Sequence, residues 1–543
     1  MLSDINDYKS IAANKKARQW DRIPKSWRIS AELYQDTKNV IDIPLKCGIL
    51  NEMESKITSH YDATALLEQL KAGVWSAEEV TVAFCKRAAI AQQLTNCLTE
   101  IFFDEAIERA KKLDLEYRAS IEHGHTLPPL FGLPISLKDS FQVQGHDTST
   151  GLGCYTKSPA ESNSALATML LSLGAILYCK TNLPQSIMTG DSHNNIFGRT
   201  LNPRNKLLTA GGSTGGEGAL IALRGSILGV GTDIGGSIRV PAVCNGIYGF
   251  RPSVGMLPHG GVRDLNPAGL DGVRSTVGPM ATSIRDCELF LKTLLQANTW
   301  KYDSAVVSIP WVGLKPRQKL RIGVAFDDGV YTPSPPLRRG LKQSVDLLHG
   351  RDDVEIVNIH LPDVKLHYQS LLGFLTLSGS DHYLEQFART NEPIIPSLKA
   401  SGLLSAPGTT LQGFFNLNVR RAEAGTQYLE LFRSNDLDAI LMPPAPHTAV
   451  TLDRWASVTY TGLWNYLDYP AVVIPVDEVR HVDFVDDMSN ARFGVDDEKL
   501  YGLYTGPEQY KGAPVCVQVV GYRHRDEAFI KVAGVLDSII NKN

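Results

Sequence analysis

Ile227-Leu-Gly-Val-Gly-Thr-Asp-Ile-Gly-Gly-Ser-Ile-Arg-Val-Pro-Ala-Val243 is the stretch from which the fold class of this chain is read. Its apolar opening, Ile227 to Val230, reads as a buried strand, and Ile238 to Val243 can open a helix. The glycine-rich residues between them form the turn. Helix and strand patterns alternate elsewhere too: Ser164 to Leu173 then Ala175 to Lys180, Leu220 to Leu223 then Ile227 to Val230, and Leu337 to Leu348 then Val354 to Ile359. Further apolar strands are expected at Ile322 to Phe326, Leu437 to Met442, Ala471 to Val476 and Val515 to Val520. The expectation is an α/β fold: one large α/β/α domain whose mixed, mostly parallel twisted sheet is covered by helices on both faces.

The turn after Val230 also carries chemistry. A serine hydroxyl is a poor nucleophile at neutral pH and needs a base to take its proton and fixed donors to meet the oxyanion. Ser237 sits where several backbone N–H groups converge, and Gly235 and Gly236 let a carbonyl approach the main chain closely. A helix start adds positive dipole character at the same point. The base is sought in Leu133-Pro-Ile-Ser-Leu-Lys138, a strand-like alternation with Ile135 and Leu137 on one face and Ser136 and Lys138 on the other. A lysine there is expected to be buried and neutral, since removal from water disfavours the ammonium form. Between them in sequence lies Gly211-Gly-Ser213-Thr-Gly-Gly-Glu-Gly218, a loop whose Ser213 hydroxyl can accept and donate a proton at once.

Taken singly, each residue has a plainer reading: Lys138-Asp139 as half of a surface ion pair, Ser213 and Ser237 as turn serines. Asp233 and Arg239 read as scaffold, the first accepting loop N–H groups and the second pairing with a carboxylate. The joint order and spacing of the three motifs, 75 positions from Lys138 to Ser213 and 24 from Ser213 to Ser237, favours chemistry.

These residues resemble the amidase signature family, and within it the fungal acetamidase or general amidase branch. Thr81 to Leu98, Asn194 to Lys206 and Gly512 to Gly521 carry the same likeness, which spans essentially the whole chain. The resemblance implies the same α/β/α fold as one domain. It implies Ser237 as acyl-enzyme nucleophile, Ser213 as bridging serine after a cis Gly212–Ser213 peptide, and Lys138 as base. It places the oxyanion among the N–H groups of Ile234, Gly235, Gly236 and Ser237, and Ile187 in the acyl pocket. The implied reaction is hydrolysis of a carboxylic amide to carboxylate and ammonia, with no metal or organic cofactor. A small aliphatic amide such as acetamide is the leading substrate; aryl, longer acyl and secondary-metabolite amides are alternatives.

The same residues admit other functions. Gly211-Gly-Ser213-Thr-Gly215 fits the nucleophile elbow of α/β-hydrolases, with His447 or His524 as partner, but Asn202-Pro-Arg-Asn-Lys206 before it is loop chemistry where the elbow needs a strand. No S-x-x-K is present, since Ser136 and Lys138 are two apart, and neither glycine run has a phosphate-loop or dinucleotide pattern. An amidotransferase subunit and a catalytically silent scaffold are the remaining alternatives.

Composition fits a soluble enzyme: 543 residues, 43% hydrophobic, with 54 basic and 58 acidic side chains and a formal charge of −4. That balance gives no basic footprint for nucleic acid, so the partner expected is a small-molecule amide, with a homodimer as the one oligomer considered. Eight cysteines without a C-x-x-C pair suit free thiols in a reducing compartment. His123-Gly-His125 reads as an ordinary loop, not a metal site. The opening Met1 to Ser10 lacks the apolar core of a signal peptide, no run is long enough to span a bilayer, and the terminal Asn-Lys-Asn is no peroxisomal address, so a cytoplasmic location without membrane contact is expected. Residues 1–60 are expected to form a helical and irregular arm packed on a catalytic domain of residues 61–543. The polar stretch Asp477 to Lys511 reads as a long surface loop without chemistry.

Overall fold

The computed structural model describes residues 7–542; what was read from Met1–Asn6 and from Asn543 lies outside the described residues. Thirteen strands occur among them: β1 (Leu98–Ile101), β2 (Pro134–Lys138), β3 (Ile176–Thr181), β4 (His193–Asn194), β5 (Gly198–Arg199), β6 (Leu228–Asp233), β7 (Tyr248–Arg251), β8 (Thr276–Ala281), β9 (Leu320–Val324), β10 (Val354–Asn358), β11 (Ala439–Met442), β12 (Ala471–Glu478) and β13 (Pro514–Val520). Eleven form one sheet in the order β1-β3-β2-β6-β8-β7-β12-β13-β11-β9-β10, and β4 with β5 makes a small separate pair.

The sheet is mixed, but not mostly parallel. Among described neighbours, β2–β3, β2–β6, β9–β10 and β9–β11 are parallel. The other six contacts are antiparallel. The sequence alternation of helix and strand correctly marks the parallel blocks, where each crossover is a helix. Strands β1, β7 and β8, short or glycine-containing, gave no such signal and run antiparallel, as do β12 and β13 at the sheet centre.

Helices cover both faces, and the period-2 geometry of the strands shows it. Ala439 and Leu441 of β11 pack in the main core with Val517 and Val519, while Ile440 and Met442 pack in a second core with Tyr428, Phe432 and Trp464. Local signals fix helix ends. Asp62 caps Ala63–Lys71 by accepting the Ala65 N–H at 2.9 Å, and Ser76 with Glu79 forms the capping box of Ala77–Thr95. Near the amino end, the helix Tyr8–Asp21 lies against β1: Gln19 Nε2 donates to the Leu98 and Thr99 carbonyls at 2.8 and 2.9 Å, and Lys15 is buried in ion pairs with Glu100 and Asp147.

Candidate active site

Three adjacent elements build the site. Strand β2 is buried along its whole length and ends on Lys138. β6, its parallel neighbour, ends on Asp233 and feeds the turn to Ser237. The loop before the helix Gly215–Ala222 brings in Ser213.

Lys138 is fully buried, with Nζ 2.6 Å from Ser213 Oγ and 2.9 Å from Thr232 Oγ1. Among the described residues no carboxylate lies within 4.0 Å of that nitrogen, so the surface ion pair with Asp139 is not formed; Asp139 instead accepts from Thr99 Oγ1, Ser149 Oγ and the Thr150 N–H. Burial pushes the Lys138 amine down to about 7, with the more distant Asp233 carboxylate opposing only part of the effect. A substantial neutral fraction therefore exists near neutral pH.

The Gly212–Ser213 peptide is cis. A Cβ on Gly212 would fall 2.4 Å from the Thr189 carbonyl oxygen, so only glycine fits where the segment 189–191 crosses the loop. The Thr214 N–H donates to the Ser237 carbonyl at 3.1 Å, tying the two serine-bearing segments together.

The Ser237 turn is wrapped around Asp233. Its carboxylate accepts the N–H groups of Gly236 at 2.8 Å and Ile238 at 3.1 Å, the Arg239 guanidinium at 3.0 and 3.1 Å, and Asn465 Nδ2 at 2.8 Å. Burial alone would raise this carboxyl, but the Arg239 guanidinium and these donors hold it far below the usual carboxylate range. Asp233 and Arg239 thus have the scaffold roles expected. Removing one of the pair leaves a buried, unpaired charge, which costs about 3–5 kcal/mol.

Of the four amides named for the oxyanion, the Gly236 N–H is occupied by Asp233. Those of Ile234, Gly235 and Ser237 have no protein acceptor among the described residues. Gly236 is required for another reason: its φ is +132°, and a Cβ would lie 2.3 Å from Thr461 Oγ1, which itself donates to the Gly235 carbonyl at 2.7 Å. Gly236→Ala should therefore displace the turn and lower kcat/KM by about 100-fold, in line with loss of an oxyanion donor. Steady-state kinetics checks this, with thermal unfolding reporting the backbone strain of about 1–3 kcal/mol.

The two serines open into a cavity of about 880 Å³, whose wall includes Ile187, Thr232, Ile234, Gly235 and Gly236. Lys138 sits behind Ser213 and Thr232. Ile187 has φ +64°, an unusual conformation for a β-branched residue, and follows Ser186 at +61°. Elsewhere the wall is apolar at Leu257, Val262, Leu265, Val273, Phe374 and Leu403, with charge at Arg263, Asp264, Arg274, Asp303, Asp453, Arg454 and Lys499.

Several features escaped sequence reading. Thr232 as second neighbour of the lysine was one, because a threonine at the end of a strand carries no motif. The stretch 477–511 is not free of the site: it holds the helix Val495–Tyr501, and Lys499, Leu500 and Leu503 line the cavity. The segment Tyr460 to Trp464 backs the Ser237 turn, with Thr461 donating to the Gly235 carbonyl and Tyr460 and Trp464 buried in the second core. From Ser378 to Tyr383 only Tyr383 reaches the cavity. His447 is buried with its Nδ1–H directed to the Thr448 carbonyl and its ring edge-on to Trp455, so it does not partner Ser213, whose side chain meets Lys138.

The comparisons with known proteins agree with this geometry. The sequence pattern of the amidase family matches residues 79–530. An acetamidase of Emericella nidulans is 39% identical over 542 residues, covering 97% of each chain. A putative amidase of Schizosaccharomyces pombe is 36% identical, covering 98% of this chain and 99% of its own. Among solved structures, a fatty acid amide hydrolase superposes with a TM-score of 0.90 at 32% identity, covering 98% of this chain and 94% of that one. With the lysine, serine and glycine motifs brought together on two neighbouring strands and the loop before a helix, and with this likeness along nearly its whole length, the chain belongs to the amidase signature family.

Proposed function

We propose that the chain hydrolyses the C–N bond of a carboxylic amide through an acyl-enzyme on Ser237. The observation carrying this reading is the 2.6 Å contact between a fully buried Lys138 Nζ and Ser213 Oγ at a cavity that Ser237 also lines. Lys138 in its amine form donates to Thr232 Oγ1 and turns its lone pair to the Ser213 hydroxyl. As Ser237 Oγ attacks the carbonyl carbon, Ser213 takes the Ser237 proton and passes its own to Lys138. The oxyanion is met by the N–H groups of Ile234, Gly235 and Ser237, with Gly236 held by Asp233 to keep that turn shaped. Collapse of the tetrahedral centre returns the proton through Ser213 to the leaving nitrogen, the demanding step of amide cleavage. Water then deacylates Ser237 by the same relay. Labelling by a fluorophosphonate tests the assignment: modification of Ser237 supports it, and modification of Ser213 in its place overturns it.

Acetamide is the reference substrate, since curated relatives bear the name acetamidase. The cavity favours a second reading on substrate size. At about 880 Å³ it lies in the upper part of the range of roughly 300–1,000 Å³ for sites that enclose drug-sized ligands, and its far walls are largely apolar. At ~0.8 kcal/mol per buried methylene, four added methylenes are worth up to about 3 kcal/mol. Ammonia release should therefore show hexanamide exceeding acetamide in kcat/KM by at least about tenfold, or about 1.4 kcal/mol. Equal or lower values for hexanamide would return the assignment to small amides.

A further inference from the structure

Behind the candidate site lies a buried polar cluster that the proposed mechanism does not use. Glu217 stands one helical turn after Ser213, and Ser136 stands two residues before Lys138 on the same face of β2. The pair Ser136–Glu217 is thus a second rung beside Lys138–Ser213, joining the same strand to the helix that follows the Ser213 loop. Thr181 of β3, the register partner of Lys138, donates its hydroxyl to Glu217 Oε2 at 2.8 Å. Ser136 Oγ is 2.7 Å from Ser226 Oγ, which is 3.1 Å from the Leu228 carbonyl oxygen. All four side chains are fully buried.

The surroundings of this cluster decide its state. Thr181 and Ser136 each have a hydroxyl to share with the Glu217 carboxyl, and Ser226 has one for Ser136 or for the Leu228 carbonyl. An ionised Glu217 would place a charge in a fully buried cluster that no cation approaches to within 4.0 Å among the described residues, which costs far more than burying the neutral acid. With Glu217 protonated, a single chain satisfies every group: Thr181 O–H to Glu217 Oε2, Glu217 O–H to Ser136, Ser136 O–H to Ser226, and Ser226 O–H to Leu228.

We propose that Glu217 is a neutral, hydrogen-donating positioning residue that locks the helix following the Ser213 loop to the Lys138-bearing strand without placing a negative charge behind the base. This rests on the Lys138–Ser213 relay being the working machinery. The cluster's surroundings agree with a neutral acid. Burial pushes the Glu217 carboxyl up to about 7, its hydroxyl partners opposing only part of that. The titratable groups that feel it, Cys97, Cys179 and Tyr178, are themselves pushed upward by burial and so uncharged. No cation pairs with Glu217 among the described residues. The fit is also steric: a Cβ on Gly229 would fall 1.8 Å from Glu217 Oε1, so the strand leaves room for the carboxyl by having none. A carboxylate here would favour the ammonium form of Lys138, against its role as proton acceptor.

Glu217→Gln keeps one donor for Ser136 and one acceptor for Thr181, and Glu217→Leu removes both. The expected result is kcat within about threefold of wild type for Glu217→Gln with the acid limb of the pH profile unmoved, and for Glu217→Leu a fall in kcat of at least about tenfold with KM nearly constant. Infrared spectroscopy of the wild-type protein provides a readout independent of folding in the variants. A protonated carboxyl band at neutral pH that is lost in Glu217→Gln, or under side-chain isotope labelling of glutamate, supports the proposal. A carboxylate band for Glu217, or an acid limb displaced to lower pH in Glu217→Gln, would overturn it by revealing a charged counter-ion. Fluorophosphonate labelling run alongside separates the two claims: no reaction at Ser237 in the wild type strikes at the relay itself, whereas normal labelling with an ionised Glu217 strikes only at the neutral acid.

Discussion

Alanine in place of Ser237 is expected to lower kcat/KM for amide hydrolysis by about 10⁴-fold or more, leaving substrate affinity within a few-fold of wild type. No other hydroxyl can substitute. Ser213 Oγ is committed to Lys138 at 2.6 Å, and its loop is confined by the segment 189–191, against which even a methyl group on Gly212 would collide. The donor groups of the turn persist in the variant, because they are set by Asp233, Arg239 and Asn465 and not by the serine side chain. Residual turnover in Ser237→Ala should therefore reflect oxyanion stabilisation and binding alone. Single-turnover assays with an acyl-labelled amide would show no covalent adduct. Retention of more than a hundredth of wild-type activity would show that Ser237 is not the nucleophile.

Lys138→Ala is expected to cost about 10³-fold in kcat, and its pH profile is the more telling readout. The sign follows from burial. The ammonium form loses hydration inside the protein, so the proton is held less tightly than in water and leaves near pH 7. Only the amine accepts a proton, so the rate rises with pH through that region and levels above it. In Lys138→Ala that limb should vanish. Lys138→Arg should be equally slow, because a guanidinium keeps its proton at any relevant pH. An acid limb near pH 7 that survives in Lys138→Ala would assign the ionisation to another group and remove the lysine from the relay.

Much of the local structure around the candidate site was legible in the sequence because it is set within a few residues. Asp62, Ser76 and Glu79 act within one turn of their helices, and the glycine runs announce where backbone must pass close to other backbone. Lys138, Ser213 and Ser237 each lie in a motif that carries its own signal. What was not legible is set by contacts far apart in the chain. The antiparallel placement of β7, β8, β12 and β13 depends on cross-strand pairing, not on any local period. Thr232 matters because β6 lies next to β2, and Lys499 and Leu500 matter because a distant helix folds back onto the cavity. Tyr460 and Trp464 fill the second core behind the turn, a placement that no local pattern distinguishes from a pocket wall. Glu217, read only as part of a glycine-rich motif, meets two hydroxyls carried by other elements, those of Ser136 and Thr181.

The cavity wall has a corollary for engineering. The groups proposed to react sit on the neighbouring strands β2 and β6 and the adjoining loops, whereas much of the remaining lining is contributed by segments near 257–274, 368–403, 453–458 and 499–503. Those segments can change in shape or polarity one at a time while the bond-breaking apparatus stays untouched. That separation marks the same four regions as the places where a protein engineer seeking altered amide preference should begin.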